Sequence, residues 1–457
     1  ASGVRVREAR FVDVILTRSA WRVAMLQAVR IEADEMRFCE AQGIDLTGLT
    51  GEQVVLSRVL MREGRLDGAK LDGAGLGSCT LRAASVLGAS LRQADLTRAD
   101  LCDADLRGTS LAGAPLDGAG LMNADLRRAD LARASVVGAH LAGARAEGAR
   151  LDAVVLAAAT NLPATLRGAS LCEADLGGLA IDGVDLEAAD LTGARLEGVK
   201  GAAARLRGAL LVRANLREAD LREADLGRAD LTGADLDATD LRRADLTGSQ
   251  LSESRGRHLD LREAQLTGAH VAGTAWGAVR LSGTALVGVD ASRAAWPGAQ
   301  LGGAWLDGVE LGEAALPEAG LAVASLVRAG LHRGKLGSAR LDRASLDDAD
   351  LRAADLVEAS LVDASLVRAD LSAAQLERAR FEGAVLLGAR AFGVDLATTR
   401  LSPAQLDGIV GGLREAPTPH PFGAEASVSA AVPVGAEEGL RAEDVVRTLS
   451  TRIPSDD

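Results

Sequence analysis

Large apolar residues recur at every fifth position of this chain from Phe11 to Leu406. Eighty positions fall on that frame, and all but eight (Ala41, Gly51, Ala146, Asn161, Gly201, Gly256, Ala291, Ala391) are large and apolar. Two residues before each sits a small residue, usually alanine, as at Ala94, Ala99, Ala104, Ala219, Ala224 and Ala229. Between the two lies Asp, Asn, Ser, Arg or Gly. A period of five matches neither the 3.6 of a helix nor the 2 of a long strand. Within each phrase, however, small–polar–leucine is a fragment of strict alternation, with the small residue and the leucine on one side and the polar residue on the other. The remaining pair, typically Thr-Gly, Arg-Arg, Arg-Glu or Glu-Gly, suits a corner. The pattern predicts a chain that runs three residues, bends and repeats.

The phrase A(D/N)Lxx, as in Ala219-Asp220-Leu221-Arg222-Glu223, resembles the pentapeptide-repeat family, strongly over 62–406 and weakly over 4–61. The resemblance implies a right-handed quadrilateral parallel β-helix, four phrases to a square coil, with leucines toward the axis and alanines in the tight places beside them. The expected fold class is therefore an all-β solenoid with a C-terminal α-helical cap and tail. Eighty phrases make about twenty coils, and at ~4.8 Å per strand spacing a rod of roughly 95 Å. Each buried leucine contributes on the order of 1.5–3 kcal/mol, so the core is a stack of small equal terms.

The frame is punctuated in five places. Residues 1–61 are expected to be degenerate N-terminal coils, because larger or polar residues (Val14, Val29, Asp34, Cys39, Ile44, Leu49, Val54, Val59) stand where alanine is usual, with a short helix around Ala20 to Ala33. Residues 62–401 are the regular β-helix, in which Asn161, Gly201 and Gly256 mark local bulges or excursions. Residues 402–414 read as a capping helix: Ser402 and Gln405 form a capping box, Pro403 suits the first helical position, and Leu406, Ile409, Val410 and Leu413 share a face. Residues 415–439, rich in Ala, Pro, Glu and Ser, read as a linker. Residues 440–457 read as a helix and tail with Val445, Val446, Leu449 and Ile453 at helical spacing, able to dock on the rod, bind a partner or pair two chains as a homodimer.

Composition narrows the chemistry. There is no Tyr, Trp numbers four and Phe five, so the core cannot lean on aromatics. The formal charge of −13 disfavours direct nucleic-acid binding, which asks for basic patches. No run approaches the ~18 apolar residues of a membrane span, and a soluble, cytoplasmic protein is expected. Cys39 and Cys79 are two coils apart, and Cys102 and Cys172 three and a half, so free thiols are expected rather than disulfides or a metal. The histidines are scattered, and GAGLG at Gly73–Gly77 falls in the repeat frame as turn glycines. With no nucleophile–base pair and no concave site in a filled rod, an enzyme is not expected, nor a cofactor.

Two functional readings remain. The first is a non-enzymatic scaffold that binds protein partners along its flat faces. The second comes from the resemblance, since some pentapeptide-repeat proteins are DNA mimics whose acidic rod occupies the DNA-binding saddle of a type II topoisomerase, DNA gyrase, and protects or inhibits it. This chain departs from that subgroup in its leucine rather than phenylalanine core, its length and its lack of a clear projecting loop. A duplex also carries one charge per ~1.7 Å, far denser than the thirteen here. Candidate contact residues are Asp220, Asp240 and Asp260 in one column, Asp225 and Asp245 on the next face, and Trp305, whose place in the phrase points outward. Arg217, Arg222, Arg228, Arg242 and Arg243 are expected to neutralise much of that acid. Trp276 and Trp296, twenty residues apart at inward positions, are expected to stack in the core.

Overall fold

The computed structural model describes residues 5–7, 10–12, 25–27, 30–32, 45–52, 54–399 and 401–411. The chain divides into two units, Ala1–Arg414 and Glu415–Asp457, and every described residue lies in the first. The expected linker 415–439, the 440–457 helix with the homodimer it could form, and Cys39 lie outside the described residues.

Through most of the regular body an outward residue bridges, in parallel, the residue twenty positions later: Asp220 to Asp240, Asp225 to Asp245, Asp230 to Gln250, Asp235 to Arg255. Twenty residues are four phrases, so one turn of the solenoid contributes to four ladders. Most ladder steps are single bridges, because a phrase leaves only three residues between corners. The phrase after Asp225 shows the bonding. Leu226 N–H donates to Asp245 O (2.8 Å) and Arg228 N–H to Thr247 O (2.9 Å) in the following coil. Ala229 N–H turns back to Leu226 O (3.0 Å), and Asp230 N–H donates to Ala209 O (2.9 Å) in the preceding coil. The Leu226–Ala229 bond closes a four-residue turn whose third residue, Arg228, has φ +59°, as a type II turn requires. Glycine takes that corner elsewhere, as at Gly233 (φ +68°), without the roughly 1–2 kcal/mol that a β-carbon costs there.

The inward residues form one buried cluster running from Leu46 to Ile409. Leu49, Val54 and Val59, larger than the usual alanine, are buried like the rest. Trp276 and Trp296 stack as their spacing predicts, ring centroids 5.3 Å apart and planes within 3°. Their indole N–H groups, fully buried, donate to Ser254 Oγ (3.1 Å) and Thr274 Oγ1 (2.9 Å), hydroxyls at the small position one coil earlier. Those two positions are polar because the tryptophans need acceptors.

The structure departs from the sequence expectations in three places. Short strands β1 (Arg5–Arg7), β2 (Arg10–Val12), β3 (Met25–Gln27), β4 (Arg30–Glu32) and β5 (Thr50–Glu52) open the chain. The helix expected around Ala20 to Ala33 is corrected, since β3 and β4 occupy that span and pair in parallel with β1 and β2. β3 pairs with β5 at a register of twenty-five, Met25 opposite Thr50, one phrase more than elsewhere.

At Asn161 the ladder slips: His140 bridges Asn161, twenty-one residues on, after a 3₁₀ turn at Leu156–Ala158. Asn161 itself is exposed, Leu162 packs against the core in its stead, and the twenty-residue register resumes at Arg145–Thr165. Gly201 and Gly256, by contrast, are not excursions. Lys200 still bridges Asp220, and a β-carbon on Gly201 would come within 2.6 Å of Ile181 Cγ1, so the neighbouring coils already fill its place. Gly256 lies in β6 (Arg255–Arg257), paired with β7 (Ala275–Gly277), where its backbone presses on Leu236: a β-carbon would sit 2.8 Å from the Leu236 carbonyl.

After Leu401 a five-residue helix α1 (Pro403–Asp407) forms on the Ser402–Gln405 capping box. The Gln405 side-chain amide donates to Phe381 O (2.8 Å) and to Ala384 O (2.9 Å), the latter at a position whose carbonyl the following coil's backbone serves in the regular body. Val410 then rejoins the ladder opposite Arg390.

Two tests follow from this packing. Leu226→Asp places a charge among fully buried leucines and should cost several kcal/mol, read as a lowered urea midpoint and new protease cleavage in the flanking coils; an unchanged melt would refute the inward assignment. Ser254→Ala should cost about 1–3 kcal/mol by leaving the Trp276 indole N–H without an acceptor, while Ser254→Thr should cost much less.

Candidate functional site

One N–H per phrase is left over by the backbone bonding, that of the residue following leucine. In the run LREADLREADLGRADLTGADLDATDLRRADL it is taken by the outward aspartate two residues earlier. Asp220 accepts from Arg222 N–H (3.4 Å), Asp225 from Gly227 (3.1 Å), Asp230 from Thr232 (2.9 Å), Asp235 from Asp237 (3.2 Å), Asp240 from Arg242 (3.2 Å) and Asp245 from Thr247 (2.9 Å). This is the Asx turn, which asparagine and aspartate make with the backbone two residues on. Their position in every phrase is therefore structural before it is functional.

The structure brings Asp220, Asp240 and Asp260 together in one ladder, as their spacing implies. It also surrounds them with arginine. Arg222, Arg242 and Arg262 each grip the aspartate two residues before with two bonds: 2.7 and 2.6 Å to Asp220, 2.9 and 2.7 Å to Asp240, 2.9 and 2.7 Å to Asp260. Arg280 Nη1 adds a bond of 3.3 Å to Asp260, and Arg243 lies between Glu223 and Glu263 at 3.6 and 2.9 Å. Here Asp220, Asp240, Asp260, Glu223 and Glu263 meet Arg222, Arg242, Arg243, Arg262 and Arg280, charge for charge. A shallow depression of about 240 Å³ between them is lined by arginine and glutamate. Bidentate pairs of this kind are short and oriented, but exposed ones contribute little to stability.

The carboxyl groups respond accordingly. The Arg222 side chain holds Asp220 below its ordinary pKa, against a smaller opposing effect of burial. For Asp260, which is 7% exposed, burial alone would raise the value, but the bonds from Arg262 and Arg280 outweigh it and the result is again a lowered pKa.

Asp225 and Asp245 stack in the next ladder and share Arg207, whose guanidinium lies 3.0 Å from the first and 3.5 Å from the second. The same ladder continues through Gln265 and Ala285 to Trp305, so these three candidates stand on one side of the solenoid. Trp305 points outward and is 61% exposed.

A second solution to the leftover N–H was not read from the sequence. In seven phrases whose outward residue is serine, the acceptor is an aspartate at a corner of the coil before. Asp67 accepts from Ser85 Oγ–H and Leu87 N–H, Asp307 from Ser325 and Val327, and Asp342 from Ser360 and Val362. The signal that could have revealed it is a serine in the aspartate slot with an aspartate eighteen residues earlier, which also picks out Asp72–Ser90, Asp117–Ser135, Asp152–Ser170 and Asp347–Ser365.

Cys79, Cys102 and Cys172 are free thiols, and burial pushes Cys79 up to about 12, far from reactive. Among the described residues no group of three or more His, Cys, Asp or Glu is placed to hold a metal ion.

The family model for pentapeptide repeats matches residues 87–119, 121–156, 164–198, 202–237, 234–273, 324–363 and 364–402, more than half of the chain. The chain belongs to the pentapeptide-repeat family. No curated protein matches this pentapeptide-repeat protein. Among solved structures it is similar to HetL, a pentapeptide repeat protein involved in heterocyst differentiation regulation from the cyanobacterium Nostoc sp. strain PCC 7120, at 25% identity over 55% of this chain and 87% of that one, TM-score 0.25. It is also similar to QnrB1, a plasmid-mediated fluoroquinolone resistance protein, at 15% identity over 48% of this chain and 89% of that one, TM-score 0.24. The matched stretches pass over 157–163, where the ladder slips at Asn161, and 274–323, which holds Trp276, Trp296 and Trp305.

The lowered pKa values give a sign for acid sensitivity. A carboxyl whose folded pKa lies below its unfolded value of about 3.9 contributes stability above that value and loses it as pH falls through the folded one. The urea midpoint should therefore drop between pH 5 and pH 2.5, and the combined variant Asp220→Asn/Asp260→Asn, which keeps an acceptor for the backbone N–H, should show a shallower drop. Equal slopes for variant and wild type would show that these pairs do not couple to folding.

Proposed function

We propose that this pentapeptide-repeat protein is a non-catalytic solenoid that binds other proteins along its ladders. The observation that carries the reading is the contrast between its outward groups. The ladder carboxylates are engaged by the protein's own backbone and arginines, whereas Trp305 is held in water on a flat face, and exposed aromatic side chains are the residues around which protein contacts concentrate. The extended surface of a solenoid suits the same role.

The net charge of −13 also keeps open a narrower partner, a type II topoisomerase such as DNA gyrase, with the acidic solenoid standing in for duplex DNA. The arginine pairing of Asp220, Asp240 and Asp260 leaves less free negative charge for that role than the sequence suggests.

Chemical cross-linking in extract of the native host, followed by re-mixing of the captured protein in pure form, should reconstitute a stable complex by sedimentation. Failure of every captured protein to re-form a complex at micromolar concentration would overturn the binding reading. In a supercoiling assay with purified gyrase, inhibition or protection from a poison at micromolar solenoid would establish the narrower partner, and no effect would exclude it.

A further inference from the structure

We propose that the coils meeting at Asn161 form a hinge, a joint at which the solenoid opens on two adjacent sides while the other two sides hold it together.

Its origin lies in Pro163. In the coils before and after, the equivalent corner is held by Gly143 (φ +70°) and Gly183 (φ +72°). Proline fixes φ near −65° and has no N–H, so it can neither take that left-handed corner nor donate to the next coil. The large apolar residue of this phrase also comes one place late, at Leu162, which is only partly buried, and Asn161 faces water. Ala146 stands in place of leucine at another inward position of the same coil.

The ladders show the effect. An unbroken step between coils carries three backbone bonds, as from Asp220 to Asp240: Leu221 N–H to Asp240 O (2.8 Å), Glu223 N–H to Arg242 O (2.9 Å) and Asp240 N–H to Ala219 O (2.9 Å). The step from His140 to Asn161 keeps one of ordinary geometry, Thr160 N–H to Ala139 O (2.9 Å). The step on to Ala180 has neither a bridge nor a backbone bond among the described residues. On the neighbouring side Ser135 and Val155 are not bridged, and Gly138 N–H reaches one residue past its usual acceptor, to Ala158 O (2.7 Å).

The bridges continue on the two remaining sides, through Asp130, Arg150 and Ser170 on one and Asp125, Arg145, Thr165 and Asp185 on the other. There Leu131 N–H meets Arg150 O at 2.7 Å and Ala146 N–H meets Thr165 O at 3.0 Å. The inward cluster also runs on through Leu156 and Leu166. In a solenoid each coil is held only by its neighbours, so bonds lost at one interface are not made up from elsewhere. Segments with few bonded amides open at lower free energy than the rest. Loss confined to two adjacent sides, with the core and two ladders intact, lets the chain open without coming apart. Asp220, Asp225, Asp240, Asp245, Asp260 and Trp305 all follow the joint in the chain, so its opening leaves them in register with one another.

Hydrogen exchange on the full chain, read at single-amide resolution by mass spectrometry, tests the hinge through amides that are bonded across it. Those of Gly138 and Thr160 should be protected at least a hundredfold less than those of Leu131 and Ala146 on the holding sides, and than those of Leu221 and Glu223 at an unbroken step. The triple variant Asn161→Leu/Leu162→Asn/Pro163→Gly restores the five-residue frame with glycine at the corner. It should melt no lower than wild type and bring Gly138 and Thr160 to within tenfold of Leu131. Equal protection at these amides in the wild-type chain would overturn the hinge whatever the variant does. Low protection at Leu131 and Ala146 as well, or fast exchange at Gly138 and Thr160 that persists in the folded triple variant, would overturn it too.

Discussion

A backbone that turns a corner every five residues strands one N–H in each phrase, and the rest of the surface is arranged around that donor. Four of the five amide groups reach carbonyls in the same or an adjacent coil; the group after each leucine does not. Where the outward residue is Asp it supplies the acceptor two residues on, and in many serine phrases an Asp in the coil before does so together with the Ser hydroxyl. Because the acceptor in those phrases is a carboxylate, the ladders acquire negative charge as a by-product of folding. Arginine at the position that carries the stranded N–H, as in Arg222, Arg242 and Arg262, then neutralises the same carboxylate from the side. Charge on this protein is first a matter of backbone satisfaction.

Much of this was legible in the sequence because the five-residue frame is unambiguous. The inward leucines, the alternation across each phrase, the stacking of Trp276 on Trp296 and the exposure of Trp305 all follow from counting. What could not be counted was local compensation. Asn161 and Leu162 exchange roles because a 3₁₀ turn takes up one residue, and Gly201 stays in the ladder because Ile181 and Leu221 close over it. Both sites interrupt the apolar frame in the same way, and only the packing of neighbouring coils separates them. The strands in place of a helix at β3 and β4 were hidden by apolar residues whose spacing suits either structure.

The candidate residues divide along the same line. Their grouping into columns was readable, since twenty residues return the chain to the same ladder. Their partners were only partly so: the pairing of Arg222 with Asp220 is local in sequence, whereas the reach of Arg207 to Asp225 and Asp245, eighteen and thirty-eight residues on, needs the coil geometry. That difference is why the Arg222–Asp220 pair could be read along the chain and the Arg207 bridge could not.

The register between β3 and β5 has a wider consequence. In a chain whose sides repeat every twenty residues, length is equivalent to rotation. One extra phrase, as between Met25 and Thr50, carries everything that follows round by one side without disturbing a single inward leucine. Gain or loss of four phrases changes only the distance between features on the same side. A family built this way can re-aim or re-space its contact residues through insertions and deletions alone, with each side chain keeping its local surroundings.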